Sequence, residues 1–363
     1  MNFLLTALVS VVVFGVLVLV HELGHFFAAR RCGIRVEEFS IGFGPALFSY
    51  VKNGTRYTLR LLPLGGYNML EGEQPDKDGE DKEKRKKMAE KTQPEPAKAG
   101  KAFSEATAWQ RFFVIASGAL MNFLLGIVVL VVLVASQKSI TSKVIYDFEE
   151  GARSAATGLQ AGDEILAVNG HTCFVADDIL YELQRTPHYV ADFTVRRDGE
   201  KIILPDVSFD TVADEKGEPR MKIDFRVYGL PKTPQAVLRE AGNYFIFYTR
   251  VILRGFADLA TGREGINELS GPVGVVSEVS KAVNSGWDTV VRLAAMLTIN
   301  LGVFNLLPIP ALDGCKLWLL AWEGVTHRPV PQRMEAAINT AGMALLLTLM
   351  LMVTGQDIIK LFA

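Results

Sequence analysis

Hydrophobic positions along this chain follow two rhythms. Four runs, Asn2–Val20, Phe112–Gln137, Leu293–Leu312 and Ala336–Gln356, carry no Asp, Glu, Lys or Arg. Each is close to the length that crosses the hydrocarbon core of a bilayer as a helix, so four transmembrane helices are expected. Between the runs the pattern shortens. Residues 37–70 alternate in the manner of a β-hairpin or small sheet, with Tyr57-Thr-Leu-Arg-Leu-Leu running into the turn signal Pro63-Leu-Gly-Gly66. Lys143–Phe148, Tyr189–Arg197 and Lys201–Val207 read as strands of a compact module, with a helix over Val175–Gln184. From Thr233 to Leu259 the period becomes helical, and Tyr244, Phe245, Phe247, Tyr248, Val251, Ile252 and Phe256 form a broad apolar stripe. Such a stripe suits either a core face or a helix lying on a membrane surface. Glu71–Thr107 holds 19 charged residues in 37, which provides no core. It reads as a solvated linker, with a short helix through Asp81–Lys91.

Composition sharpens this picture. The 363 residues average a hydropathy of +0.22, too apolar for an ordinary soluble chain of this length. A net charge of −2 with no basic domain excludes nucleic acid as a partner. Cys32, Cys173 and Cys315 are far apart and give neither a disulfide framework nor a Cys-x-x-Cys knuckle. No basic residue precedes the first run, and its apolar character continues through Phe26, Phe27 and Ala28, so a retained span is expected rather than a cleaved signal. Arg30, Arg31, Arg35, Lys52, Arg56 and Arg60 follow it, which places residues 30–111 in the cytoplasm and the N-terminus outside. Four spans return the C-terminus to the outside, and Lys316, Arg328 and Arg333 after the third run agree in sign.

The expected fold class is thus a polytopic α-helical membrane protein with four transmembrane helices, a cytoplasmic-side β-hairpin and an extracytoplasmic α+β domain. Its parts are a first helix over 1–30, a membrane-associated hairpin region over 31–70 and the linker over 71–107. A second helix covers 108–137, the β-rich module 138–210, and an amphipathic helical region 211–290. The third helix covers 291–316, a cytoplasmic loop 317–335, and the fourth helix with the C-terminus 336–363.

His21-Glu22-Leu23-Gly24-His25 carries the chemistry. In a helix, residues four apart share a face, so both imidazoles can bind one metal while Glu22 reaches its open side. Chance predicts roughly 0.004 such matches for this composition. Ionisable groups beside a membrane run are costly and mark function. Nine residues separate His21 from Arg30, roughly 14 Å of helix, which sets the metal inside the bilayer on the cytoplasmic side. Catalytic zinc takes three protein ligands and leaves a position for water. The acids beside apolar runs are Glu37, Glu38, Asp313, Glu323, Glu335 and Asp357. Asp313 has the best context, because Asn305-Leu-Leu-Pro-Ile-Pro-Ala-Leu-Asp-Gly314 breaks a helix at membrane depth, which is tolerated only where backbone lines protein or a watery cavity. Cys315 is a rival thiolate.

His21–His25 in a first span with Asn305–Gly314 in a later one resembles the site-2 protease family of intramembrane zinc metalloproteases. The likeness is closer to the bacterial regulated-intramembrane-proteolysis members with an extracytoplasmic PDZ domain. Gly42-Phe-Gly-Pro45 through Pro63-Leu-Gly-Gly-Tyr67 resembles the family's membrane-reentrant hairpin. Trp109-Gln-Arg111 and Ser117-Gly-Ala-Leu-Met-Asn122 resemble the opening of its second span, and Gly271-Pro-Val-Gly274 the segment before its third. Gly158–Gly170 resembles part of a single PDZ domain. The resemblance implies one Zn2+ per chain on His21, His25 and Asp313, with Glu22 as general base. It further implies that Asn305, Asn122, Gly65 and Gly66 contact substrate. The implied substrates are single-span membrane proteins such as anti-sigma factors or signal-peptide remnants, first cut outside by an upstream extracytoplasmic protease. The implied setting is the lipid bilayer of a bacterial cell membrane, with both termini and the PDZ domain extracytoplasmic. Ala119 stands where the family often has proline, and Cys315 where a second glycine is common.

Two other readings remain open from sequence. One is a multi-span zinc protease cutting soluble or misfolded proteins in an aqueous chamber, which typically draws its third ligand from a Glu and lacks the Pro-x-Pro-x-Leu-Asp-Gly run. The other is a scaffold using its PDZ module alone, which leaves Glu22 without purpose.

Overall fold

A computed structural model describes residues 3–73, 100–213, 219–263 and 269–362, together with Gly217 and Gly265. The expected helix at Asp81–Lys91 lies outside these residues. The chain divides into two compact units, one formed by Met1–Val129 with Ile252–Ala363, the other by Leu130–Val251.

In the first unit, α1 (Phe3–Arg31) opens the chain. Inside a bilayer a helix satisfies every backbone group of an apolar run internally, which overrides the weak helix propensity of its many valines. Arg30 and Arg31 in the last turn complement the helix dipole. The helix stops at Gly33, whose φ of +69° suits a residue without Cβ. Ile34 N–H then donates to Ala29 O at 2.9 Å, and Gly33 N–H to Arg30 O at 3.2 Å, closing the last turn. The turn feeds β1 (Val36–Lys52), which pairs with β2 (Thr55–Leu70). The register is more than a simple hairpin. Phe39 lies opposite both Asn68 and Tyr57, and Ile41 opposite both Gly66 and Leu59. Residues 38–41 therefore have a neighbour on each side, while 66–70 form an edge among the described residues. Phe26, Ala29, Ile34, Val36, Phe39, Leu70, Val114, Ile115 and Leu317 make one buried cluster that fixes this sheet against the helices.

The second span is α2 (Ala108–Ser136), whose C-terminal residues from Leu130 belong to the second unit. There β3 (Ile140–Phe148), α3 (Arg153–Ala156), β4 (Glu164–Val168), β5 (His171–Thr172), α4 (Ala176–Gln184), β6 (Val190–Arg197) and β7 (Glu200–Ser208) follow in order. After the short pair β8 (Thr211–Ala213) and β9 (Pro219–Met221) comes β10 (Phe225–Leu230). The sheet order is β10-β3-β4-β6-β7, with β5 on β4. The module thus extends past the expected boundary at 210, because β10 returns to pair with β3 through Phe225–Phe148 and Leu230–Ile140. Ile145, Leu159, Ile165, Val168, Leu183, Phe193, Val195 and Val207 fill its core. Asp163 of the Gly-Asp-Glu turn is fully buried and takes a two-pronged ion pair from Arg197, at 2.7 and 2.8 Å. Helix α5 (Pro234–Ala260) then leads back to the first unit.

In the first unit again, α6 (Pro272–Ser285), α7 (Trp287–Phe304), α8 (Asp313–Thr326) and α9 (Gln332–Phe362) complete the chain. Two sequence expectations need correction here. The third apolar run is not one helix to residue 316, because α7 ends at Phe304. Pro308 and Pro310 supply no N–H to continue it, and Ala311 adopts a φ of +70°. The stretch 317–335 is not a loop throughout, since α8 is helical to Thr326. Among the described residues, four helices are long and apolar enough to cross a membrane: Leu4–Arg31, Ala108–Ser136, Trp287–Phe304 and Arg333–Lys360.

Candidate metal centre

Three elements bring the metal-binding candidates together. His21 and His25 face the same side of α1, and the break after α7 delivers Asp313 as the first residue of α8. His21 Nε2 lies 3.0 Å from Asp313 Oδ2, His25 Nε2 lies 3.1 Å from it, and the two imidazole nitrogens are 3.2 Å apart. Tetrahedral zinc bonds of 2.0–2.2 Å require ligand atoms about 3.3 Å from one another. The observed triangle has that size, so one ion fits these three atoms with a fourth position left open. Among the described residues, no other His, Cys, Asp and Glu side chains gather in this way.

The surrounding groups orient the ligands. His25 Nδ1 donates to Val114 O at 2.9 Å, which leaves Nε2 with a free lone pair for a metal. His21 Nδ1 meets the Asn122 amide at 3.3 Å, while Asn122 Oδ1, fully buried, has no hydrogen-bond partner among the described residues. Turned end for end, that amide accepts Nδ1–H through Oδ1 and frees His21 Nε2 in the same way. Asn122 thus reaches His21, a contact that the substrate role expected from sequence does not include. Gly118, one helical turn before it, supplies space: a Cβ there would stand 2.4 Å from His25 Nε2 and 2.7 Å from His21 Cε1. Gly24 lets the helices approach closely, since its Cβ would lie 2.3 Å from Ser117 O.

Glu22 sits beside the edge segment of β2. Asn68 Nδ2 donates to Glu22 Oε2 and to Glu22 O, both at 2.7 Å. A Cβ on Gly66 would meet Ser40 O at 2.7 Å and Glu22 Cγ at 3.3 Å, so only glycine lets this strand pass so near the acid. Gly65 has a φ of +93° and packs under the Phe43 ring. Asn305 is buried at the end of α7, and its side chain makes no hydrogen bond to the His21–His25–Asp313 cluster among the described residues.

Most rival ligands have other partners. Glu38 pairs with Arg60 at 2.9 Å, and Arg60 also reaches Ser40 Oγ, Gly44 O and the Tyr67 hydroxyl. Glu323 pairs with Arg111. Asp357 is buried on α9 and accepts Gly274 N–H at 2.7 Å, holding the first turn of α6. Cys315 and Glu335 lie outside the cluster. Sequence reasoning missed Asn68, Gly118 and the Val114 carbonyl. Asn68 directly follows the quoted Pro63-Leu-Gly-Gly-Tyr67 stretch and Gly118 stands within Ser117-Gly-Ala-Leu-Met-Asn122, but their contacts are made across elements and leave no periodic trace.

Comparison with known proteins agrees with this geometry. Residues 9–349 match the model of peptidase family M50. The zinc metalloprotease RasP of Shouchella clausii is 33% identical, with 99% of this chain and 100% of the relative covered. The regulator of sigma-W protease RasP of Bacillus subtilis is 31% identical over the same shares. The probable protease eep of Enterococcus faecalis is 30% identical, covering 98% of this chain and 99% of the relative. With four apolar helices, a closed His21–His25–Asp313 triangle and a family match along nearly its whole length, the chain belongs to peptidase family M50, the site-2 proteases, as a multi-pass membrane zinc metalloprotease.

Proposed function

We propose that this enzyme cleaves the transmembrane segments of single-span membrane proteins in regulated intramembrane proteolysis, acting after an earlier extracytoplasmic cut. One observation carries the reading: His21 and His25 converge with Asp313 beside Glu22, and both histidines and Glu22 lie on the membrane-spanning candidate Leu4–Arg31. His21, His25 and Asp313 would hold one zinc ion per chain. Bound there, zinc supplies a Lewis acid and lowers the pKa of water towards about 7. Glu22 takes the proton of the attacking water as oxygen adds to the scissile carbonyl carbon. The C–N bond then breaks, and Glu22 returns the proton to the leaving amine.

A helical substrate hides its peptide bonds, so it must be extended before it can react. The segment 66–70 is an edge beside Glu22, with 36–41 on its other side. An unwound substrate pairs along that edge and presents its carbonyl to the site. The basic residues of 30–60 orient the hairpin and linker to the cytoplasm, with the termini and the second unit outside. We assign the second unit as a single PDZ-type module that admits trimmed substrates. Its antiparallel sheet, its helix α4 and the Gly158–Gly170 stretch support this assignment. The name of the Bacillus subtilis relative ties that protein to sigma-W regulation, which favours membrane-held sigma-factor regulators as substrates here.

The test compares membrane fragments in cells carrying the wild-type enzyme or Glu22→Gln. The variant keeps the volume of the side chain but loses the base, so cleavage should fall by at least roughly 100-fold while the trimmed precursor accumulates. Unchanged fragment patterns would overturn the reading.

A further inference from the structure

We infer that Asn68 is a positioning residue for Glu22, tying the general base to the strand edge along which substrate binds. The inference rests on the role of Glu22 proposed above. The Asn68 amide donates to two acceptors of one residue, Glu22 Oε2 and Glu22 O, each at 2.7 Å. Both neighbours can only accept, so the amide cannot be turned round without placing oxygen against oxygen. Its nitrogen must face Glu22. The consequence is that Asn68 Oδ1 is buried with no hydrogen-bond partner among the described residues. A stability requirement alone would not select that arrangement, because an unpaired buried acceptor is destabilising.

The contact also divides the carboxylate between two tasks. Oε2 is occupied by Asn68, and Oε1 accepts no hydrogen bond among the described residues. One oxygen is anchored and the other is free to exchange a proton. The anchor comes from a strand, not from the helix that carries Glu22. Asn68 pairs with Phe39 in the sheet, two residues beyond Gly66, which itself passes against Glu22 Cγ. A substrate paired to segment 66–70 is therefore held by the same strand that holds the base. The reacting carbonyl and the proton acceptor share one frame, and misplacement by about 1 Å costs on the order of 100-fold in rate.

The experiment measures kcat, KM and bound zinc for purified full-length protein in detergent, on one single-span substrate, for wild type, Glu22→Gln, Asn68→Leu and Asn68→Asp. Asn68→Leu removes the donor. Asn68→Asp keeps the shape and the strand while removing the donor, so it remains informative if leucine disturbs the fold. Both should lower kcat roughly 10- to 100-fold, with KM within about twofold and zinc content unchanged. A purely structural role would instead raise KM or lose zinc, and that result overturns the inference. Wild-type kcat in Asn68→Asp also overturns it, and an inactive Glu22→Gln in the same series shows that the catalytic reading survives. An active Glu22→Gln removes the base itself and overturns both.

Discussion

Gly118→Ala is the sharpest perturbation that the metal centre offers, because it touches no ligand chemically. The added Cβ would lie 2.4 Å from His25 Nε2 and 2.7 Å from both His21 Cε1 and His25 Cε1. Non-bonded carbon contacts settle near 3.5 Å, so the rings or the second helix must yield by about 1 Å. Zinc bond lengths tolerate only about 0.2 Å. The triangle of 3.0, 3.1 and 3.2 Å cannot then stay closed around one ion. We expect zinc affinity to fall at least about 100-fold, or about 2.7 kcal/mol, and turnover to fall with it. The assay is a competition titration against a zinc-sensitive chelating dye on the purified protein. Gly242→Ala is the control, since a Cβ there meets nothing within 4 Å. A second control, Gly126→Ala, presses on Ile299 Cγ1 at 2.7 Å and strains helix packing away from the ligands. Wild-type zinc affinity and turnover in Gly118→Ala would refute the placement of the metal between these side chains.

Other outcomes follow from the same structure. Asp313→Ala should clearly lower the zinc content measured by metal analysis, because two imidazoles remain without their carboxylate. Asn122→Leu should weaken zinc binding roughly 10- to 100-fold by releasing His21 Nδ1, as read in the same dye titration. Burial, with the Glu182 charge adding to it, pushes the Cys173 thiol up to about 11 from an ordinary 9.0, so its thiolate form appears only as pH rises towards that value. At pH 8 its alkylation should be about 100-fold slower than that of an ordinary thiol, as followed by mass spectrometry in the folded and the urea-treated protein. Replacing residues 140–230 with a flexible Gly/Ser linker should let the enzyme cut some substrates with intact ectodomains while zinc stays bound. Activity on trimmed substrate alone would instead point to capture of trimmed ends.

The legible part of this protein was the part written in local patterns. An apolar run without charges reports a span, and His-Glu-x-x-His reports a helical ligand pair, because both depend on neighbours within a few residues. The strands expected over Tyr189–Arg197 and Lys201–Val207 were visible for the same reason, their alternation matching the buried Ala191, Phe193, Val195 and Val207. What escaped was decided by distant partners. β10 stands far along the chain from β3, and nothing in Phe225–Leu230 names its partner. α8 covers residues split between the expected third helix, which ran to 316, and the expected loop over 317–335. In the structure Lys316 pairs with Glu73 and Glu323 with Arg111, so both charges are compatible with a packed helix. Asn68 and Gly118 carry no signal of their own; each matters only because another element brings Glu22 or the histidines to it.

One zinc ion on His21, His25 and Asp313 should be what cuts a peptide bond within a membrane segment. The decisive measurement strips the purified enzyme of metal, returns zinc stepwise, and sizes the products of a single-span substrate by mass spectrometry. The stripped protein should show no cleavage, activity should be full at one zinc per chain, and the cut should fall inside the apolar stretch of the substrate. Full activity without metal, or cuts confined to residues outside that stretch, would contradict it.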